Sequence, residues 1–494
     1  MSSRRSFVGF VLLCAALTVL CLAPPALGDV FSPNLKADGP PGRCEADCTF
    51  REAVLTANFR PGADVVMLEA GSYSLRRGGR GEEVASTGDL DVTDDLTVIG
   101  AGADRTFLDA RGLDRLFDVK GNVRLELVGV TLRNGDAGGG HGGAVRAIHP
   151  GSVVLLKGVM IEDSRAPSGG MGGALFSGGV AEVVESALIG NAAEISGGAI
   201  ASEGILRVVA STFTGNDAEF EYGGGIYLGS GALLDLDQST LVANRAMKVG
   251  GALYVRAGGE ARVAGSILAA NQTWSGGADC SGAVTSEGHN LLSTGNGCAG
   301  LREDDMYGGA EQLDPMLGAL GQHGGPTPTF APLAGSPVLD RVPPEQCVAR
   351  DQRGERRLRD GAMCDVGAFE KSDACIAGAE TLCLANGRFK ISVEHSDVRA
   401  ENGGEPVPAR AASWTDDTGY FWFFDPANVE VIVKVLDGCS AGIDGAWVFA
   451  SGLTNLGLDL RVEDLATGRS HIYSQDAGKP FEPIQDTGTF SSCG

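Results

Sequence analysis

The 494-residue chain holds 75 glycines and is 43% hydrophobic. That pairing excludes the apolar-poor composition of a disordered chain and implies an ordered one with many tight turns. The formal net charge is −24, and no basic cluster interrupts the acidity, which argues against nucleic acid or an anionic membrane surface as partner.

Residues 1–28 read as a signal peptide. Arg4 and Arg5 form a basic n-region, Phe7 to Leu22 an apolar h-region, and Ala26-Leu27-Gly28 a small-residue cleavage site. A membrane-anchoring helix is the competing reading, but the span is short and Pro24-Pro25 ends it. The arginine pair also fits a twin-arginine leader, so export by either the Sec or the twin-arginine route is expected. Neither Cys14 nor Cys21 follows a small residue, so a lipoprotein anchor is not supported. No later stretch is apolar enough to span a bilayer, so no integral membrane segment is expected once the leader is removed.

Of the 12 cysteines, those beyond the leader are even in number, which suits an oxidising compartment. Proximity in sequence suggests Cys44–Cys48, Cys280–Cys298, Cys347–Cys364, Cys375–Cys383 and Cys439–Cys493, although many other pairings exist. A zinc reading of Cys44 and Cys48 lacks a second pair or a histidine cluster. In "CEADCTFREAVLTAN", Phe50, Ala53, Val54 and Ala57 fall at helical spacing. Residues 29–62 are therefore expected to form an N-terminal cap, with a short amphipathic helix covering the first coil of a stacked sheet.

Residues 63–340 repeat. Glycine pairs open "GGAVRA" at Gly142, "GGALFS" at Gly172, "GGAIAS" at Gly197, "GGGIYL" at Gly223 (the first of three glycines) and "GGALYV" at Gly250, in steps of 30, 25, 26 and 27 residues. Each unit holds about three very short strands and no helical period, which is the content of one coil of a single-stranded parallel β-helix. Successive coils pair in register roughly 4.8 Å apart, so like positions stack into columns. Val145, Leu175, Ile200, Ile226 and Leu253 would form a buried line, and Asn191, Asn216, Asn244 and Asn271 an amide ladder at a bend. Glycines serve the sharp corners.

Two outward columns bear on function. Glu182, Arg207, Asp235 and Arg262 alternate in sign, as a structural charge ladder would. Arg146, Phe176, Ala201, Tyr227 and Tyr254 form the other; Tyr227 and Tyr254 either stack on sugar rings or make an ordinary aromatic ladder. Asp217, Glu219 and Glu221 crowd one inter-strand loop, where they would at best hold Ca²⁺ weakly; solvated acids are the plainer reading. The six histidines are scattered, so neither a Ser-His-Asp triad nor a zinc site is visible, and His141 in "GGHGGA" reads first as a coil corner. No catalytic residue and no cofactor is assigned.

"CTFREAVLTAN", with "GADVVMLEAGSYSL" and "GDLDVTDDLTVIGAGADRTFLDA" after it, resembles the CSLREA-type start of secreted bacterial β-helix proteins, with Phe50 in place of the usual leucine. "DPMLGALGQHGGPTPTFAPLAGSPVLD" and "DQRGERRLRDGAMCDVGAFE" are similar to the choice-of-anchor Q module that closes such proteins. The "GGAI" and "FTGN" units resemble repeats of the polymorphic outer-membrane protein family of autotransporter adhesins. These resemblances cover residues 29 to about 371. They imply a right-handed parallel β-helix, a closing segment at 341–371 in which Asp351 and Arg353 tie the cap together, and an exported, surface-associated life. They carry over no catalytic residue.

Residues 373–494 alternate in longer runs such as "RFKISVEH" and "NVEVIVKVLDG", as an antiparallel β-sandwich would. Trp414, Tyr420 and Trp422 mark either a ligand face or, more plainly, core packing. The expected function is a secreted or cell-surface β-helix with a non-enzymatic role in adhesion or envelope interactions, its partners polysaccharide or other surface components. The alternative is a polysaccharide lyase, hydrolase or carbohydrate-binding module; the enzymes would need two or three carboxylates converging on one face.

Overall fold

A computed structural model describes residues 28–309, 311–333, 335–357, 363–371, 375, 377–385, 387–396, 406–438, 445–465 and 467–491. Residues 1–27, which hold nearly all of the expected signal peptide, and the expected Cys439–Cys493 pairing lie outside the described residues. The fold is a parallel β-solenoid of about 8 turns followed by antiparallel sheets, with 3% helix.

One coil shows the construction. Ile200–Ser202 forms an entry face, Ile205–Val209 a long face, Thr212–Thr214 an exit face, and Asp217–Ala218 a short corner strand. Each pairs in parallel with its counterpart in the next coil. Val145, Leu175, Ile200, Ile226 and Leu253 stand in one register and each is 0% exposed. Phe117 and Leu90 extend that buried line upstream and Cys280 extends it downstream. Burial of this column and its equivalents on the other faces is the main stabilising term, at about 25 cal/mol per Å² of apolar surface.

Single residues in the left-handed region turn the chain between faces. Glu185, Ala210 and Gln238 do so between the long and exit faces, and Ala243 and Ala270 before the corner strand. Gly197 turns the chain back into the entry face at φ +69°, where a Cβ would meet the Ile200 carbonyl oxygen at 2.4 Å. That corner therefore admits only glycine, while the other two tolerate side chains.

Two polar columns fill the bends. The Asn191 amide donates to Asn216 Oδ1 at 3.0 Å, Asn216 to Asn244 at 2.9 Å, and Asn244 to Asn271 at 3.1 Å, all buried. The backbone N–H of Ser186 donates to Ser211 Oγ at 3.1 Å, and the pattern repeats to Ser239 and Ser266. Both columns end downstream on an acid: Asp279 accepts from Asn271, and Asp305 accepts from Asn290 below the serines.

The N-terminal end is sealed by the helix Phe50–Asn58, started by a capping box between Thr49 and Glu52. Its Phe50, Ala53, Val54 and Ala57 join the solenoid core. Arg51 is buried too, paired with Asp38 at 2.8 Å and donating to the carbonyls of Ala85 and Gly88 at 2.9 Å. Disulfides join Cys44–Cys48, Cys280–Cys298, Cys347–Cys364 and Cys375–Cys383.

The closing segment departs from expectation. The downstream end is finished by the last strands, Cys298–Ala299 and Met306–Tyr307, with Cys280–Cys298 clamping them. Residues 313–333, 335–357 and 363–371 instead double back as a strap along the outside of the exit face. Val338, Val342, Cys364 and Val366 pack on Ile267 and Leu291. Further upstream, Ala368 N–H donates to Thr240, Thr212 donates to Gln352, and Thr327 donates to the Glu185 carbonyl. The physical reason is visible in the outward exit-face column, where Thr212, Thr240, Ile267 and Leu291 are all buried and none is charged. Such a column needs a cover.

The C-terminal domain is two antiparallel sheets around one core that includes Phe389, Phe421, Val433, Val448 and Leu460. It docks on the strap through charges: Arg353 pairs with Asp351 at 2.7 Å and with Glu463 at 3.3 Å, while Glu355 holds Arg461 at 2.9 Å and Lys390 at 3.1 Å. Asp351 and Arg353 tie the strap together, Asp351 accepting also from the Glu355 and Glu370 N–H groups, and Arg353 carries the tie on to Glu463 of the domain.

Candidate functional site

The outward columns lie in the expected registers. Glu182, Arg207, Asp235 and Arg262 follow one another down the long face, and Arg207 bonds Glu182 at 3.0 Å. Phe176, Ala201, Tyr227 and Tyr254 follow one another on the entry face.

The entry-face tyrosines do not make an open platform. Tyr227 stacks on Tyr254 at 5.7 Å, and Tyr222, from the corner loop, lies across Tyr254 at 4.4 Å. Met171 and Tyr222 pack over the same patch, and Tyr227 is left 5% exposed. It has no free ring face for a sugar; the column is aromatic packing. His141 is part of the same cover, stacked on Phe176 at 4.6 Å and accepting from the Met171 N–H. Burial, with Arg146 and Arg115 nearby, pushes its pKa down.

Asp217, Glu219 and Glu221 are not brought together. Asp217 forms an ion pair with Arg245 of the next coil, and Glu221 pairs with Lys248 at 3.0 Å. Glu219 stays exposed. Among the described residues, no group of three or more His, Cys, Asp or Glu is placed to hold a metal ion. The coil below supplies a cation to two of the three acids, Arg245 to Asp217 and Lys248 to Glu221.

A denser acid cluster lies two coils upstream of the aromatic patch. Asp91 and Asp118 precede Arg146 in the same outward entry-face column, with Asp89 and Asp114 beside them. The loop 76–88 folds over this cluster, and Ala85 N–H donates to Asp91. Arg115 pairs with Asp89 at 2.8 Å, Lys120 reaches Asp91 at 3.0 Å, and Asp118 takes both Lys120 and Arg146. Burial pushes Asp89 up to about 7, helped by Asp114 and Asp91 and opposed by Arg115. Burial also acts on Asp118, but the Arg146 and Lys120 donors outweigh it and the net shift is downward. A carboxyl that keeps its proton near neutrality is what a general acid needs. All four acids, however, are at most 3% exposed, so no polysaccharide reaches them. The cluster locks the loop to the first coils.

This burial makes stability depend on pH. Between the ordinary carboxyl range and about 7, native Asp89 keeps a proton that the unfolded chain has lost, so stability falls as pH rises through that window. Strap residues Asp365 and Glu370 are shifted upward by burial and act in the same sense. The rise at Asp89 sets a ceiling of about 4 kcal/mol, reduced by its contact with Arg115. His141, His323 and His471, whose pKa values burial lowers, act in the opposite sense over this range. The Asp89 contribution is therefore read from the difference between wild-type and variant pH profiles, about 2 kcal/mol between about pH 5.5 and pH 8. Asp89→Asn, which mimics the neutral carboxyl, should remove that contribution; an unchanged profile in the variant would refute the assignment.

In the C-terminal domain, strand alternation buries Phe421 and turns Tyr420 and Trp422 outward. Trp447 and Phe449 alternate in the same way two strands over. Core packing is therefore not the role of Tyr420 and Trp422; Phe421 fills the core. Trp414 is 69% exposed at the sheet edge. The opposite sheet of this domain faces the strap. A polar cavity of about 430 Å³ lies there, and its Lys390, Glu355 and Arg461 satisfy one another.

The fold and these surfaces define a β-solenoid with a laterally docked antiparallel domain. No protein-family model, no curated protein and no solved structure matches the chain.

Proposed function

We propose that the protein is an exported, non-enzymatic β-helix that acts in adhesion or envelope contact, with cell-surface polysaccharide as the bound material. The observation that carries this reading is the outward aromatic face of the C-terminal sheet. Half-buried Tyr420, Trp422, Trp447 and Phe449 flank the outward residues Ile432, Lys434 and Leu436 of the central strand, with Lys434 opposite Phe449, on the side away from the strap. Aromatic rings offer rigid amphipathic area at low entropic cost, which suits the apolar faces of sugar rings. The solenoid supports the same reading: Asp217–Arg245, Glu221–Lys248 and Glu182–Arg207 bind carboxylates to cations across coils, as a rigid spacer requires. The four disulfides suit an oxidising compartment.

The test is a pull-down with insoluble and soluble glycans, acidic and neutral, combined with analysis of the supernatant for shortened or unsaturated sugars. Retention without product is expected. Trp422→Ala and Trp447→Ala should each weaken retention by about tenfold. Release of sugar fragments would make the protein an enzyme and end this reading.

A further inference from the structure

We propose that the long face of the solenoid is a self-recognition surface, on which two copies pair antiparallel about a two-fold axis. Two outward columns run down this face over six coils. The first is Arg124, Val153, Val180, Ile205, Leu233 and Glu260. The second is Glu126, Leu155, Glu182, Arg207, Asp235 and Arg262. Exposure is real: Val180, Ile205 and Leu233 are 36%, 49% and 46% exposed. Three exposed aliphatics in consecutive coils are not needed by the fold, whose core lies on the other side of the strand.

An isologous contact requires a patch complementary to its own rotated image. A two-fold axis parallel to the strands keeps each column facing itself and reverses coil order. Place that axis between the coil of Val180–Val184 and that of Ile205–Val209. Arg124 then faces Glu260 of the second copy, Val153 faces Leu233, and Val180 faces Ile205. In the second column Glu126 faces Arg262 and Glu182 faces Arg207. Leu155 against Asp235 is the one mixed pair, and no like charges meet. The first column fixes the register, because its aliphatic block is bounded by a base at one end and an acid at the other. Sliding one copy by one coil puts Val153 against Glu260 and Glu182 against Asp235.

Charge complementarity is the reason to choose a second copy over an unrelated partner. The whole chain carries −24, which opposes self-association over most of its surface. On these two columns the charges instead balance, three basic against four acidic. Val209, in the third outward column, is buried beside the strap, so the contact rests on the two exposed columns. Six strands about 4.8 Å apart and the three residues of about 3.3 Å that span both columns give roughly 300 Å² of sheet per copy. A standard interface buries about 800 Å² per partner, so the dimer is reversible and concentration-dependent. The pairing concerns the solenoid alone and stands or falls separately from glycan binding.

The experiment is sedimentation analysis of the mature chain from about 1 to 300 µM, the range in which a contact below standard size dissociates. A monomer–dimer equilibrium is expected. Arg207→Glu places acid against Glu182 of the mate twice over and should weaken the dimer at least about tenfold. The Glu182→Arg, Arg207→Glu double variant restores opposite charges and should recover most of the affinity. Ile205→Lys, facing Val180, should abolish it. Circular dichroism confirms that these surface variants fold. A chain monomeric throughout the range, or a dimer indifferent to Arg207→Glu and Ile205→Lys, would overturn the proposal.

Discussion

Gly198→Ala is expected to destabilise the solenoid by about 3 kcal/mol or more, at or beyond the top of the range for overpacked sites. A methyl on Gly198 would sit 2.3 Å from the Gly224 carbonyl oxygen and 2.4 Å from the Asp217 nitrogen. Both are backbone atoms. Asp217 N–H is already bonded to the Asn191 carbonyl at 2.9 Å, and Gly198 N–H to the Gly223 carbonyl at 3.1 Å. The clash therefore cannot be relieved by a rotamer change; the coils must separate, and their hydrogen bonds lengthen together. Ala243→Gly is the control. Ala243 holds a left-handed corner at φ +57°, where glycine removes about 1 kcal/mol of strain and adds a similar unfolded-state entropy. It should leave stability within about 0.5 kcal/mol. Urea unfolding separates the two, and a Gly198→Ala protein with the wild-type midpoint would show that the coils are not held at this spacing.

The columns are legible in the sequence because each coil must repeat its neighbour's register. Val145 to Leu253 is a buried line, and the asparagines form a bonded ladder, because a side chain one coil away sees the same environment. What periodicity cannot convey is which outward column is covered. Tyr227 and Tyr254 occupy correct outward positions, yet Tyr222 and Met171 come over them from the corner before the glycine pairs, where the backbone repeats but the side chains do not. The strap differs from expectation for a related reason: its sequence suggests closure, whereas its site is set by the uncharged exit-face column of Thr240, Ile267 and Leu291. That signal is present in the sequence: the exit face carries Asp109, Arg133 and Glu162 at outward positions in its upstream coils, but from Ala187 to Ala269, where the strap lies, it carries no charge, whereas the long face does. Asp91 and Asp118 are hidden from motif reading because the glycine pairs begin only at Gly142, downstream of both. Extending the Arg146 column upstream by strand pairing rather than by motif finds both acids at once.

The asparagine ladder supplies the second large effect, and it has a direction that can be tested chemically. Asn216 Oδ1 accepts from both the backbone and the side chain of Asn191 at 3.0 Å, while its amide donates at 2.9 Å to the Leu188 carbonyl and to Asn244 Oδ1. Asn216→Ala leaves two buried N–H groups of Asn191 without an acceptor, at about 1–3 kcal/mol each. A total loss of about 3–5 kcal/mol is expected, since the column excludes the water that could substitute. Asn216→Asp keeps that acceptor but turns a second oxygen toward Leu188 O and Asn244 Oδ1. The introduced carboxyl can relieve this only by taking a proton, so its folded pKa must rise and the variant must lose stability as pH increases from 5 to 8. The ladder's natural end already carries an acid, whose pKa burial also raises while its hydrogen-bond donors pull it downward. Asp279 receives Asn271 at 3.0 Å and both Ser293 and Thr294 at 2.7 Å, so every neighbour is a donor and an acid belongs there. If Asn216→Ala and Asn216→Asp unfold together at all pH values, the polarity assigned to the column is wrong. If they diverge on the alkaline side, the amide's two ends do different work, and only an amide serves at each interior rung.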